Sequence, residues 1–426
     1  MRRRGKKMHD IVMENLSKME GHVSLDVKIR KGKVADVKLK VSENKRFYTQ
    51  AIRGEYALNI PTFVSRICGT CSIAHLLAAT ICVENALNVE VSEQTKKLRE
   101  LAEISNILRD HAMHLYFFCL PDIFGKESIF EFTGHEEKVI EKALKIRKVA
   151  SELSKEIMGR VVHGINSRVG GFIKIPSKER LKEIEEKLLS VREDVVETLD
   201  LFSVDWNLES NTNYISLVNE DFDFTEGIIK CSDGTYIQKD EFANYLHRII
   251  LPYSQATSFK MMGRTYLVGS LARINLNKSA LSKYTKDAKK YLKKFPSRNI
   301  FDNILAQAIE VLFCIDKSVN IISNIELKKE EPAQILRKEG IGIGVIEAPR
   351  GTLYYELNIS NGYVKDGLII IPTAQNLLKM EQDIAAIVEK NINEERHKIE
   401  HEIEKLIRAY DPCFSCSTHF LKVNWI

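Results

Sequence analysis

Apolar residues occupy every second position in VSLDVKIR (23–30) and again in DVKLKV (36–41), with Lys31-Gly32-Lys33 between the two runs. A period of two marks a strand that buries one face, and a short glycine-containing connection between two such runs predicts an antiparallel hairpin. From about residue 92 the period changes. In KLRELAEISNILRDHAMHLYFF, Leu98, Leu101, Leu108 and Leu115 return at intervals of three or seven, the spacing of one helix face. Helical patterns of this kind are predicted to dominate as far as about residue 330. A second strand-rich stretch follows, EAPRGTLYYELNISNGYVKDGLIIIPT (347–373), in which Asn361-Gly362 marks a turn between apolar runs. After it the pattern predicts a helix over roughly 377–410, whose closing turns carry Ile399, Ile403, Leu406 and Tyr410 on one face. Pro412 disfavours helix at Asp411 and ends it. No internal repeat, low-complexity block or linker divides the chain. The expected fold is mainly α with small β-sheets near both ends, in one large globular unit.

Composition changes this picture little. At 426 residues, 44% hydrophobic and 28% charged, the chain can bury an ample core and reads as an ordinary soluble protein. Its formal charge of +5 is too mild to argue for a nucleic-acid partner. Much of that surplus lies in the opening ten residues, MRRRGKKMHD, read as a basic, disordered tail. No apolar run suits a secretory signal or reaches the roughly 18 residues of a membrane span, so a cytoplasmic protein without a membrane span is expected.

The candidate chemistry is in the cysteines. Of eight, Cys82, Cys119, Cys231 and Cys314 are scattered singly in apolar or helical contexts and read as core thiols. The other four form two pairs, Cys68 and Cys71 in RICGTC and Cys413 and Cys416 in DPCFSCSTH. Two intervening residues let one loop present two sulfurs to a single metal, and taken alone this pattern fits a structural four-cysteine zinc site. Against that reading, Cys71 and Cys413 stand 342 positions apart, whereas a zinc ribbon keeps its pairs within tens of residues. The neighbours also include an acid, an arginine and histidines.

RICGTCSIAH resembles the amino-terminal metal motif of the large subunits of nickel-iron hydrogenases, and DPCFSCSTH resembles their carboxy-terminal motif. The resemblance continues through MEGH (19–22), RDHAMHLYFFCLPD (109–122), GRVVHGINSRVGG (159–171), YLVGSLARINL (266–276), EAPRG (347–351) and IPTAQN (371–376). It looks most like the cytoplasmic branch linked to NAD(P) or deazaflavin, including the archaeal sulfhydrogenases. The resemblance implies the hydrogenase large-subunit fold over 11–419, built around a central helical bundle. It also implies reversible splitting of H2 to protons and electrons.

Carried over by motif, Cys68 and Cys413 would be terminal nickel ligands. Cys71 and Cys416 would bridge nickel to an iron bearing cyanide and carbon monoxide, which soft thiolates suit. Glu20 matches the proton-relay glutamate expected beside the sulfur of Cys413. Arg350 matches the arginine over the open metal face, with Asp110 and Asp411 as its carboxylate partners and Pro349 beside it. Thr373 matches the hydroxyl that donates to a cyanide, and His75 a histidine just outside the ligand set. His111 and His114 read as structural. His419 matches the ligand of a further magnesium or iron ion. There the chain departs from the pattern, because Thr49 stands where relatives carry a glutamate, and a hard cation prefers carboxylate oxygen.

The resemblance further implies an iron-sulfur small subunit, since this chain has no additional clustered cysteines for such centres. Diaphorase or other electron-transfer subunits, nickel-insertion factors and a maturation protease that removes 420–426 complete the expected partners. Two rivals remain at this point. One is the fold-related respiratory-complex subunit, which lacks the four cysteines, and the other is a zinc scaffold without hydrogenase activity.

Overall fold

The structure is a computed structural model in which residues 10–14, 16–42 and 47–417 are described. The predicted hairpin is present as Val23–Arg30 paired with Lys33–Val41, with Ile11–Met13 added at its edge. Val23, Leu25, Val27 and Ile29 all point into the core, as the alternation requires. Of the basic opening segment only Asp10 is described. Its carboxylate is tied down, accepting from the Ile29 amide at 2.9 Å and from Arg30 at 2.8 Å. The other nine residues of that segment, and the proposed 420–426 extension, lie outside the described residues.

Four long helices close a ring. Glu93–Met113 packs on His135–Met158, which packs on Lys178–Thr198; that helix packs on Asp302–Asn324, which returns to the first. Their starts follow capping chemistry, with the hydroxyls of Ser92 and Ser177 each accepting a backbone amide three residues on, Thr95 and Arg180, at 3.1 Å. The helices bury a few polar groups, some of them paired, as in the 2.8 Å Ser105 to Ser154 hydroxyl contact, while the Ser318 hydroxyl and one Glu103 oxygen have no hydrogen-bond partner among the described residues.

Beside the bundle lies a fifth long helix, Ser72–Leu87, apolar on almost every face and buried accordingly. It rests on the strand Gly340–Ala348, the edge of a three-stranded antiparallel sheet completed by Gly351–Ser360 and Tyr363–Ile370. The contact is unusually close. A Cβ at Gly344 would stand 2.0 Å from the Ala78 carbonyl oxygen, and one at Gly342 would stand 2.0 Å from that of Cys82. The alternate glycines of GIGIG are therefore what lets the helix seat on the strand. The Asn361-Gly362 turn is as predicted, with both residues at positive φ, 53° and 83°.

Two expectations need correction. The region predicted to be helical to about 330 contains, between 213 and 267, six short strands among the described residues. Runs such as YISLV and IIKC are too short for periodicity to separate a buried strand from a buried helix. The helix expected over 377–410 is two helices, Pro372–Lys390 and Arg396–Tyr410. The first begins earlier because Pro372 occupies its first turn, where a missing amide costs nothing. It ends at Asn391, whose side-chain amide donates to the Ile387 carbonyl at 2.8 Å and so competes with the backbone ladder. Among the described residues no helix is long and apolar enough to cross a membrane.

Replacing Gly344 with alanine is expected to destabilise the protein by about 1–3 kcal/mol through overpacking. Urea unfolding measures this directly. An unchanged midpoint would mean that helix Ser72–Leu87 can step back from the sheet at no cost.

Candidate metal centre

The two cysteine pairs arrive on different kinds of backbone. Cys68 follows a short turn of helix, Ser65–Ile67, and Cys71 is the residue that begins Ser72–Leu87. On the far side, Asp411 turns the chain out of the last long helix with a left-handed conformation, φ 48°, and Pro412 keeps it out. Cys413 then lies in an extended segment bridged to Glu20, with the Phe414 amide donating to the Glu20 carbonyl at 2.9 Å. Gly21 makes that approach possible. Its φ is +96°, and a Cβ there would stand 2.7 Å from the Ser415 nitrogen.

The four sulfurs meet. Cys68 and Cys413 are 3.6 Å apart, Cys71 and Cys416 are 3.6 Å apart, and Cys413 and Cys416 are 3.1 Å apart. All four are buried free thiols. These separations exceed the ~2.05 Å of a disulfide and approach the about 3.8 Å that four sulfurs around one shared ion would show. Burial pushes the Cys413 thiol well above its ordinary range, while hydrogen bonding from the neighbouring thiols, Cys413 first, holds Cys68 below its own. Four thiolates this close repel one another, so the donor set fits soft, charge-neutralising metal ions.

Glu20 stands against the sulfurs. Its Oε2 is 3.0 Å from Cys413 Sγ and accepts the Thr70 hydroxyl at 2.6 Å, and its Oε1 is 3.2 Å from Cys68 Sγ. Burial, reinforced by the Cys68 charge, pushes this carboxyl up to about 7. Arg350 approaches from another direction, donating to Asp110 at 3.2 Å, to the Asp411 carboxylate at 3.0 Å and to the Asp411 carbonyl at 2.8 Å. Although burial opposes its charge, these two carboxylates hold the guanidinium well above its ordinary value.

A small cavity beside the sulfurs is lined by Cys71, Cys413 and Cys416 together with His75, Arg350 and Thr373. His75 presents Nε2 to Cys416 at 4.0 Å while Nδ1 meets the Tyr355 hydroxyl at 2.7 Å, and burial lowers its pKa to about 4, leaving a neutral imidazole. Thr373 accepts the Cys413 amide at 2.9 Å, which leaves its hydroxyl proton available to another acceptor. Pro349 does not line this cavity. Its carbonyl accepts from Arg273 at 3.0 Å, and it acts by fixing the backbone before Arg350. His111 and His114, read from the sequence as structural, bond to Glu310 at 2.9 Å and Gln307 at 2.6 Å. His419 lies outside the described residues. Thr49 is buried and lines a separate groove with Glu356 and Asp366.

Sequence reasoning passed over three residues here. Thr70 bridges Glu20 and Cys68, standing 3.0 Å from the latter's sulfur. Its place between two ligand-type cysteines was the available signal. Gln307 donates to Asp411 at 2.9 Å, and Arg109 holds the Thr70 carbonyl at 2.9 Å. Nothing local distinguishes these two from ordinary helix residues. Cys82, Cys119, Cys231 and Cys314 are buried away from the cluster, as expected of core thiols.

Four converging thiols, flanked by a half-buried carboxyl and a doubly paired guanidinium, make a candidate metal site. Residues 48–197 and 246–419 match the family model of the nickel-dependent hydrogenases. The chain is 30% identical over 425 residues to the alpha chain of sulfhydrogenase 1 from Pyrococcus furiosus, covering 97% of this chain and 98% of that one. It is also 30% identical over 417 residues to the alpha chain of sulfhydrogenase 2 from the same organism, covering 97% and 100%. In fold it is similar to an NAD+-reducing [NiFe]-hydrogenase in the H2-reduced state, with a TM-score of 0.87 at 22% identity over 97% of this chain and 100% of that one. The chain belongs to the nickel-dependent hydrogenase family. It has the large-subunit fold, and it is the catalytic subunit of an oxidoreductase acting on H2 at a nickel-iron centre.

Cys413→Ser is expected to abolish nickel binding while the protein stays folded, because one lost thiol leaves the bundle and the sheets untouched. Elemental analysis beside a thermal melt tests both halves. Stoichiometric nickel in the variant would remove Cys413 from the ligand set.

Proposed function

We propose that the protein oxidises H2 reversibly, with Cys68 and Cys413 as terminal nickel ligands and Cys71 and Cys416 bridging nickel to an iron that carries cyanide and carbon monoxide. The observation that carries this reading is that Glu20 bonds to the sulfurs of Cys413 and Cys68 while Arg350 lines the cavity beside Cys71, Cys413 and Cys416. A structural zinc site has no use for a carboxyl bonded to its sulfurs or for a paired guanidinium in an adjoining cavity. When bound, the nickel-iron centre would supply the two-electron chemistry that takes H2 to two protons and two electrons.

The chain's own groups do the rest. Glu20 Oε2, within hydrogen-bond reach of the Cys413 sulfur, accepts the proton and passes it on, and the Thr70 hydroxyl orients that oxygen. Arg350, gripped by Asp110 and Asp411, keeps a fixed positive charge over the reacting face. Thr373 has a hydroxyl proton to give to a cyanide nitrogen, and His75 stands beside the Cys416 sulfur as a neutral group.

Electrons have to leave the chain. Among the described residues the cysteine clusters all belong to the one centre, so an iron-sulfur small subunit is the acceptor we assign. Gly69, between Cys68 and Cys71, reaches the surface close to Val162, and exposed Ile165 and Ile173 extend an apolar area suited to such a partner. Beyond it, NAD(P) or a related carrier reached through a diaphorase, cytoplasmic location and assembly by nickel-insertion factors follow from the resemblance. So does removal of 420–426 by a maturation protease, leaving a chain that ends at His419. A further magnesium or iron ion at His419 belongs to the same reading, with Thr49 leaving it without the usual carboxylate. Infrared bands of bound cyanide and carbon monoxide, with nickel and iron by elemental analysis, test the centre; zinc alone would overturn it.

Arg350→Lys keeps the charge but loses the planar fork that two carboxylates grip. Turnover is expected to fall about tenfold or more, ~1.4 kcal/mol of barrier, with metal content intact. An unchanged rate would make the arginine structural only.

Glutamine at position 20 keeps the shape of the side chain and its reach to the sulfurs but cannot take up and release a proton. Glu20→Gln is therefore expected to assemble the centre with native infrared bands yet lose most H2 uptake and most deuterium exchange with water. Para- to ortho-hydrogen conversion, which needs no proton export, should persist. Solvent exchange at the wild-type rate would show that the proton leaves by another acid, and Asp110 would be tested next.

A further inference from the structure

A cavity of about 840 Å³ lies apart from the thiol cluster and shares no lining residue with the cavity beside it. It is formed by the strand region that the helical reading of the sequence did not foresee. One wall is the turn after Ile228–Cys231, a second is the segment around Lys260 and Arg264, and a third is the loop at 296–298. Four cations, Lys230, Lys260, Arg264 and Arg298, line it against one acid, Asp233. That acid accepts the Thr235 amide of its own turn at 3.0 Å.

This concentration of charge is not a reflection of the whole molecule. Five cations and one acid among the first ten residues account for four of the chain's five net positive charges, so the remainder is nearly neutral. Elsewhere arginines are largely paired, as Arg192 is with Asp287 and Asp316. Among the described residues Lys260, Arg264 and Arg298 have neither an ion pair nor a side-chain hydrogen bond. Like charges left facing one cleft repel each other, and a multiply charged anion would relieve that cost.

The neutral lining points the same way. Asn211 and Asn213 make no side-chain hydrogen bond among the described residues. Gln382 uses its carbonyl oxygen to accept from Thr265 at 3.1 Å and keeps its amide hydrogens. Tyr214, only 5% exposed, is also part of the lining. The volume falls in the range of small-molecule sites, and the cations sit around a cleft instead of along the stripe that a nucleic acid would need.

We propose that this cleft binds a phosphorylated small molecule the size of a nucleoside diphosphate. Lys260, Arg264 and Arg298 hold the phosphates, and Asn211, Asn213 and Gln382 hold the sugar and base. The proposal does not depend on the metal centre and stands or falls separately from it.

Isothermal titration of the intact protein with ADP, and with pyrophosphate and adenosine as its two parts, is the test. ADP is expected to saturate one site with a Kd below about 1 mM at about 0.15 M salt, with adenosine about tenfold weaker or worse. Arg264→Ala combined with Arg298→Ala changes two exposed side chains and should weaken ADP about tenfold or more while leaving H2 turnover with an artificial dye unchanged. Absence of saturable binding by both ADP and pyrophosphate would overturn the proposal, as would undiminished ADP binding in the double variant. Binding of polyglutamate that ADP fails to displace would also overturn it, and would assign the cleft to an acidic protein segment.

Discussion

The contact between Glu20-Gly21 and Cys413–Ser415 is the constraint on which the rest of the centre depends. It joins segments 393 positions apart through one backbone hydrogen bond, a carboxyl-to-sulfur contact and a glycine with no room for a side chain. Without it, Cys413 and Cys416 would sit on a short turn after a helix with no reason to face the other pair. Closing so long a loop is entropically costly. The hairpin and the two carboxy-terminal helices, packed on one another, offset that cost by burying apolar faces. Catalytic precision here is thus a by-product of how the two ends of the chain are covered.

The charges around the sulfurs follow a second rule, that a buried ion must be paired and hydrogen-bonded. Arg350 is satisfied by Asp110 and Asp411, and behind it Arg273 is satisfied by Glu310 and Glu347. Arg273 also donates to the carbonyls of Ala348 and Pro349, each at 3.0 Å, and so holds the backbone from which Arg350 projects. The lattice ties helices Glu93–Met113, Ser270–Leu281 and Asp302–Asn324 to the strand Gly340–Ala348. It makes the Arg350 guanidinium beside the thiol cavity a fixed charge, and a fixed dipole or charge needs no reorganisation when a reaction occurs.

Much of this was legible from local pattern, because hairpins, helix faces and paired cysteines are properties of a few neighbouring residues. VSLDVKIR, the Asn361-Gly362 turn and the stop at Pro412 each carry their geometry in their own composition. The two cysteine pairs carry in their spacing a site for a metal, and it is the resemblance of their motifs to those of the hydrogenases that points to nickel and iron. Where local pattern was silent the reading failed. YISLV and IIKC are strands only because neighbouring strands cover their backbone groups, and the helix expected over 377–410 breaks at Asn391, with a turn before Arg396.

What the sequence by itself determined was the two cysteine pairs, the residue types that accompany them and the hairpin, turn and long-helix segments that a local pattern marks. Tertiary structure alone decided which sulfur faces which, with Cys68 against Cys413 and Cys71 against Cys416. It also decided that Thr70 orients Glu20, that Pro349 holds backbone instead of lining the cavity, and that four cations of unremarkable spacing share one cleft. The physical reason is range. Spacing governs where a side chain points along its own helix or strand, whereas contacts between distant segments are set by the close packing of whole elements.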